Sequence, residues 1–411
     1  MVSLSSKGKA QLDAFISTLA KEGKIPAYVA GATTADGEIY FNAGGKKVVG
    51  DETSGDVGLD SVFWVCSMTK MLTHISALQL IEQGKLNPEI PVVDILPQIG
   101  QPVIVSDDVS DPPKAVGPAK TVLRVKHLLN FTSGLYNVQK DTGGTVVPDP
   151  IGLDYDVEDP HTAFFDKLKG NLPGVPLKFE PGTDFVYGYS SDVLGFVVEK
   201  ITGQTLDAYM QGHIFQPIGV KASFYLTGEL KEKILPIAYR HASDRRLEPW
   251  TNQPDTKILQ RDPAKVTCIG GWGIYTSLRD YLSILRHLLQ ILDGKASKPI
   301  ISLETARSLF VPTLSQKGAD SLAAWMDETG SLKNMSWSNA IAVTTADWEG
   351  KRKAGTGHWG GWLGTGFWID PATGIAGVNG VQLLCVTAGP GDEDIIKVFD
   401  TFERLIYSSL E

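Results

Sequence analysis

The sequence predicts an α/β protein: an antiparallel sheet flanked by helices and built from both termini, with a mainly helical subdomain inserted between them. Three observations carry this prediction. Amphipathic helical patterns stand at both ends of the chain, over residues 1–24 and Asp392–Ser408. Strand-like runs lie just inside each of them, at Ala27–Thr33 and Glu38–Asn42 and again from about Ala354 to Val386. Helical periods dominate the middle, from about residue 91 to residue 200. Matching elements at the two ends pack most simply as one layered unit closed by both termini. Residues 1–90 and 201–411 are therefore assigned to the α/β domain and 91–200 to the helical subdomain.

In the first segment Leu4, Leu12, Phe15, Ile16 and Leu19 form the apolar stripe of a helix. The two strand runs that follow flank Asp36-Gly37, a hairpin turn signal. Val62–Cys66 is an unbroken apolar run, after which Met68, Met71, Leu72, Ile75 and Leu78 recur at helical spacing until Gly84. Ser67 falls at or near the N-cap of that amphipathic helix. Residues 87–120, rich in Pro, Val and Asp and poor in period, read as a long surface connection. Short helices are predicted over Val125–Asn130, His161–Lys169, Asp192–Ile201 and Leu206–Phe215, with Gly203 as a stop. Gly270–Tyr275 reads as a strand entry and Ser277–Leu292 as a helix, and Thr365–Asp370 with Ile375–Val386 form a second hairpin around Pro371-Ala372-Thr373-Gly374.

Composition narrows the function. At 411 residues, 42% hydrophobic and 21% charged, the chain is ordinary globular material with enough length for two substantial cores. A formal net charge of −9, with Lys and Arg dispersed, argues against a nucleic-acid or anionic-membrane partner, since both need a basic face. No window approaches the ~18 uninterrupted apolar residues of a membrane span, and the first 24 residues lack the apolar core of a secretory signal. Cys66, Cys268 and Cys385 include no C-x-x-C pair and leave an odd thiol, which fits a reducing compartment. The expectation is a cytoplasmic protein without metal or cofactor, since no His/Cys/Asp cluster has ligand spacing, and no obligate protein partner is evident. The two sequons, at Asn130 and Asn334, are then idle.

The chemistry is concentrated in Ser67-Met68-Thr69-Lys70. Residues three apart on a helix are surface neighbours, so the hydroxyl of Ser67 and the amine of Lys70 face one cleft. The apolar run upstream leads the pair toward the interior, where a lysine drawn out of water is disposed to act as a base toward a serine hydroxyl. Cys66, among apolar neighbours, reads as a buried, inert thiol.

With S-x-x-K as the first element, the chain resembles the serine β-lactamase and penicillin-binding-protein superfamily, in particular the class C-like branch that holds family VIII carboxylesterases and a fungal statin-type acyltransferase. The resemblance runs nearly end to end. Its second element fits Phe185–Gly195, with Tyr187 in the place of the family's tyrosine, and Pro181-Gly182-Thr183 and Leu128–Leu135 fall in the family's order upstream. The third element, K-T-G in β-lactamases, is replaced by Gly357-His358-Trp359-Gly360-Gly361-Trp362. A W-G-G register, favoured by counting back from Ile369-Asp370-Pro371, puts Trp359 in the lysine's place and makes the backbone N–H of Trp362 the strand's oxyanion donor. An H-x-G register would instead put His358 there and Gly361 in the donor's role.

The resemblance implies a β-lactamase-like fold and two-step acyl transfer through a serine-bound intermediate. Ser67 would attack an ester carbonyl, Lys70 coupled to Tyr187 would take its proton, and Tyr187 would protonate the leaving alkoxide. Tyr189 stands where β-lactamases carry Asn, and no lysine occupies the third element, so a small-molecule ester or thioester is expected rather than a β-lactam. Trp64, Tyr136, Tyr189, Trp272, Trp359 and Trp362 are candidate apolar lining. Asp184 and Asp192 read as cap or surface residues. Hydrolysis by a carboxylesterase is the first expectation and transfer to an alcohol the second. A β-lactamase or peptidase, or a silent scaffold of this fold, comes after both.

Overall fold

A computed structural model describes residues 2–106, 114–136, 158–241, 243–250, 266–326, 334–385 and 392–411. The two chain ends meet in one sheet. Its seven antiparallel strands run, edge to edge, Met335–Trp337, Ala342–Thr344, Gly357–Gly361, Thr365–Asp370, Ile375–Gly380, Tyr28–Thr34 and Glu38–Gly44. The closing contact pairs Val29 with Gly380 and Thr34 with Ile375, joining residues that lie near opposite ends of the sequence.

The sheet is a middle layer. On one face lie the helices Ser6–Glu22 and Glu393–Ser408, whose Leu12, Ile16, Phe402 and Ile406 pack with Tyr28, Trp368 and Ile375. Ser5 and Asp392 cap these helices through their side-chain oxygens, as expected where the first N–H groups lack partners. On the other face lies the helix Leu278–Leu292, whose Leu278, Leu282 and Leu285 join Val29, Phe367 and Val378 in the main core. Both terminal helices, the first hairpin and the helix after Ser277 thus stand where the sequence pattern puts them. The last strand of the second hairpin is shorter than the expected Ile375–Val386: it ends at Gly380, Leu383–Cys385 pairs instead with Ala238–Arg240, and Val386 lies outside the described residues.

The helix that follows Ser67 differs from its expectation. It spans Thr69–Glu82, and every residue from Thr69 to Leu80 is buried, so it is a central helix with no solvent face. Its polar residues are tolerated because they are hydrogen-bonded. Thr73 donates to the carbonyl of Gly270 at 2.7 Å, Ser76 to that of Leu72, and Gln79 to those of Ile300 and His213. Against it packs the helix Ser190–Thr202.

Within the 87–120 stretch, of which 107–113 lie outside the described residues, the described residues are more ordered than expected. Val92–Ile95 and Pro97–Ile99 are short helical turns that bury Val92, Leu96 and Ile99. Val103–Val105 pairs with Ala115–Pro118 and with Pro176–Leu177 in a small sheet. Strand entry at Gly270 is replaced by turns, and only Tyr275–Ser277 is strand, paired antiparallel with Val62–Trp64. Leu206–Met210 runs on as a π-turn through Phe215.

Candidate active site

The turn that carries Ser67 is held from three sides. Val65 N–H donates to the carbonyl of Ile274 at 3.0 Å, Gln382 brackets both the N–H and the carbonyl of Trp64, and Thr365 Oγ1 reaches the Val65 carbonyl. Between strand and helix the chain reverses through Cys66, a non-glycine residue at φ +46°, a conformation that a side chain adopts only when its surroundings enforce it. Ser67 then sits in a 3₁₀ turn, Cys66–Met68, and the α-helix begins at Thr69. Ser67 thus lies near the helix N-cap, as expected, immediately before Met68 at the cap position, and is half-exposed.

Lys70 is 5% exposed, and its Nζ lies 3.0 Å from Ser67 Oγ and 2.7 Å from the carbonyl oxygen of Gly271, to which it donates. The same Nζ stands 4.7 Å from the centroid of the Tyr187 ring. Gly271 is fixed in turn, because its N–H donates to Asp192 Oδ1 at 2.9 Å. Asp192 is not the cap or surface residue expected from sequence: it is buried, and burial pushes its carboxyl up to about 6, against the pull of the Lys70 charge and the Gly271 N–H.

Tyr187 is positioned by aromatic rings. Phe131, itself at φ +60°, stacks on it at 5.4 Å and 14°, and stacks on His74 at 5.8 Å and 6°. His74 is clamped between the Asn339 carbonyl and Ser191 Oγ, and burial pushes its imidazole down to about 4, so it stays neutral. Leu135 and Tyr136 run against the Tyr187 turn so closely that a Cβ on Gly188 would lie 2.2 Å from the Leu135 carbonyl and 2.7 Å from Tyr136 Cα. The phenol oxygen accepts a hydrogen bond from Trp359 Nε1 at 3.1 Å.

Strand alternation separates the two candidates of the third element. Trp359 points to Tyr187 and packs edge-on against Trp337 at 4.6 Å. Its neighbour His358 points to the opposite face, as consecutive strand residues must. There the imidazole meets the Trp348 ring at 5.6 Å, and burial, with the charges of Arg352 and Lys351, holds it well below the usual histidine range. His358 is therefore not a cleft residue in this fold. Gly361 shares the Trp359 face, and a Cβ on it would lie 2.5 Å from the Val65 carbonyl and 3.2 Å from Cys66 Cβ, so the strand end is seated on the turn that carries Ser67. Gly360 faces away, against the Thr365 carbonyl. The amides of Leu363 and Trp362 approach the Cys66 thiol, which burial nonetheless pushes up to about 12. The Trp362 side chain is 40% exposed.

The remaining lining candidates divide. Tyr189 is only 2% exposed and packs edge-on against Phe164 at 5.6 Å, because it stands at the N-cap position of the Ser190–Thr202 helix and turns into the core. Trp64 is likewise buried, behind Trp272, to whose carbonyl it donates at 2.6 Å. Trp272 and Tyr136 are half-buried beside the Gly271 and Tyr187 segments. Sequence reasoning missed Trp337, Trp325, Asp192 and the Gly271 carbonyl. Trp325 stacks on Tyr187 at 4.5 Å, and no motif marks it.

Among the described residues no group of His, Cys, Asp or Glu side chains is arranged to hold a metal ion, and no helix is long and apolar enough to cross a membrane. A mixed sheet-and-helix fold with a serine and a lysine on one helical turn and a tyrosine facing them defines a class, and the comparisons agree. The chain matches the Beta-lactamase family over residues 12–382 and belongs to it. It is similar to a lovastatin esterase of Penicillium rubens, 26% identical over 94% of this chain and 95% of that one. It is also similar to the ML-236A carboxylate methylbutanoyltransferase mlcH of Penicillium citrinum, 24% identical over 97% and 94%. In fold it matches a simvastatin synthase of Aspergillus terreus, a LovD6 mutant, with a TM-score of 0.78 at 24% identity over 98% and 95% of the two chains.

Proposed function

We propose that this protein is a serine carboxylesterase that works through an acyl-enzyme at Ser67, and that the same intermediate serves transfer of the acyl group to an alcohol. The observation that carries the reading is the continuous set of contacts Ser67–Lys70–Tyr187–Trp359, with Lys70 also held by the Gly271 carbonyl. Ser67 Oγ bonds the ester carbonyl carbon as its proton passes to Lys70. The backbone N–H of Ser67 and the strand-end N–H of Trp362 hold the oxyanion. The carbonyl–alcohol C–O bond then breaks, and the proton leaves through Tyr187 to the departing alkoxide. Indole N–H is a donor only, so the bond from Trp359 must be accepted by the phenol oxygen, which leaves the phenolic hydrogen free to be given to the cleft. In the second half-reaction water or an alcohol gives its proton to the deprotonated Tyr187–Lys70 pair as its oxygen bonds the acyl carbon, the Ser67 ester bond breaks, and Lys70 returns a proton to Ser67 Oγ.

Both relatives named above act on carboxylic ester chemistry by their names, one as an esterase and one as a methylbutanoyltransferase, which supports a small-molecule ester for this chain too. The third element argues for esters over β-lactams, because Trp359 brings a neutral donor where a lysine would bring a cation for a substrate carboxylate. We place the cleft between the α/β part, residues 1–90 and 201–411, which supplies Ser67, Gly271 and Trp359, and the helical part, 91–200, which supplies Tyr187. The unpaired buried thiols of Cys66 and Cys268 support a reducing compartment, the cytoplasm.

Intact-mass spectrometry after exposure to p-nitrophenyl butanoate, a thioester and a penicillin tests the proposal. An acyl adduct from the esters that is absent in Ser67→Ala is expected. An adduct that persists in Ser67→Ala, or one formed with the penicillin alone, overturns it.

A further inference from the structure

One large aromatic side chain beside the candidate site is assigned no role by the mechanism. Trp325 is 41% exposed, an unusual placement for an indole, yet its ring stacks on Tyr187 at 4.5 Å and 29° and lies parallel to Trp359 at 6.0 Å and 17°.

Its position is not left to chance. Trp325 is carried by the helix Gln316–Met326, and that helix is tied by one face to the segment leading into Tyr187. Lys317 pairs with Asp184 Oδ2 at 2.9 Å, and Ser321 Oγ donates to Asp184 Oδ1 at 2.7 Å. Gly318 faces the Phe185 side chain, where a Cβ would lie 3.6 Å from Phe185 Cβ, in ordinary van der Waals contact. Residues 317, 321 and 325 are spaced four apart and therefore share one stripe of the helix. The two ties to Asp184 thus aim the next residue of the stripe at the ring of Tyr187, three positions further along the chain. An indole needed only as core filler would be covered, and a residue needed only for solubility would be polar.

The chemistry at Tyr187 says which half of the substrate meets that indole. The tyrosine gives its proton to the departing alkoxide, so the alcohol must stand at the phenol hydroxyl, among the rings that surround it. The acyl half stays on Ser67. We propose that Trp325 is a specificity-determining residue for the alcohol half of the ester, as leaving group in hydrolysis and as acceptor in transfer, and that it selects alcohols with a flat apolar surface. This rests on the acyl-enzyme reading given above. A preformed aromatic face held by a tied helix gains stacking and burial from an aryl or fused-ring alcohol and nothing comparable from a methyl or ethyl group.

The test holds the acyl group constant and varies the alcohol. Butanoate esters of ethanol and of 2-naphthol are compared in wild type, Trp325→Ala and Trp325→Phe, and acetate and hexanoate esters of 2-naphthol vary the other half. In Trp325→Ala, kcat/KM for the naphthyl ester is expected to fall roughly tenfold, mostly through KM, while that for the ethyl ester changes less than about twofold. The loss should be the same for all three acyl chains, and Trp325→Phe should recover part of it. In transfer, the concentration of 2-naphthylethanol that half-saturates the acyl-enzyme should rise in step. Equal losses on the ethyl and naphthyl esters would make Trp325 a support for Tyr187 and overturn the inference. A loss that tracks the acyl chain would overturn it too. In both cases the Ser67 adduct seen by mass would leave the esterase reading standing, whereas no adduct in wild type would overturn both.

Discussion

Replacing Asp192 by Asn should stabilise the protein toward neutral pH and slow it. Burial lifts this carboxyl from 3.8 to about 6 in the folded state, against about 3.9 in an unfolded chain. Between those two values the folded protein binds the extra proton. The stability this group contributes is therefore fully present below about pH 4 and is lost as pH rises through 6. A gap of about two units corresponds to about 3 kcal/mol lost by pH 7. Asn keeps an oxygen for the Gly271 N–H and does not ionise, so the variant escapes that loss. Its amide nitrogen adds a pH-independent penalty, which makes the slope, and not the offset, the quantity to read. Urea unfolding of both proteins from pH 4 to 7 should show the variant gaining on wild type by up to about 3 kcal/mol across the range. Ester turnover at pH 7 should fall, because the negative charge that faces Lys70 through Gly271 is gone. A stability difference that stays constant from pH 4 to 7 would refute the reasoning.

Gly361→Ala would place a methyl 2.3 Å from Thr365 Oγ1 and 2.5 Å from the Val65 carbonyl. A loss of about 1–3 kcal/mol in thermal unfolding and of about a hundredfold in kcat is expected, and a near wild-type kcat would show that the strand end is not seated on the nucleophile turn. Trp359→Phe removes the donor to Tyr187 and keeps a ring, so kcat should fall about tenfold, the worth of a net hydrogen bond of ~1–1.5 kcal/mol. His358→Ala, on the far face, should lower the melting temperature and leave both kcat and the pH profile of wild type. The reverse ordering of these two variants would return His358 to the cleft.

What could be read beforehand was what is local. Ser67 and Lys70 are three residues apart, so one turn of chain suffices to bring them together, and Tyr187 stood in a motif with its own context. The outer hairpins and helices were legible because their periods and caps are written in adjacent residues. His358 and Trp359 could have been separated by strand alternation alone once either was assigned a face. Tyr189 could not, since it leaves the turn at the start of a helix and its direction is set by packing on Phe164. Asp192 and Trp325 were out of reach for the same physical reason: each matters through a partner far along the chain, Gly271 in one case and Tyr187 in the other. The buried helix after Ser67 looked amphipathic because its polar residues find their partners in distant loops.

The sheet closed by both ends of the chain makes this protein a late starter. During synthesis the ribosome delivers Ser67, Lys70 and Tyr187 long before Trp359 and the Ile375–Gly380 strand that pairs with Tyr28–Thr34. Until that strand docks, Gly361 has nothing to seat it on Val65, and the reversal at Cys66 lacks the surroundings that hold it. A nascent chain stalled before residue 357 therefore carries the nucleophile without its aim. Contacts of such sequence separation form slowly, since loop closure precedes any gain from them. Activity, on this account, is itself a reporter of complete folding, and refolding followed by ester turnover should lag the recovery of helical signal.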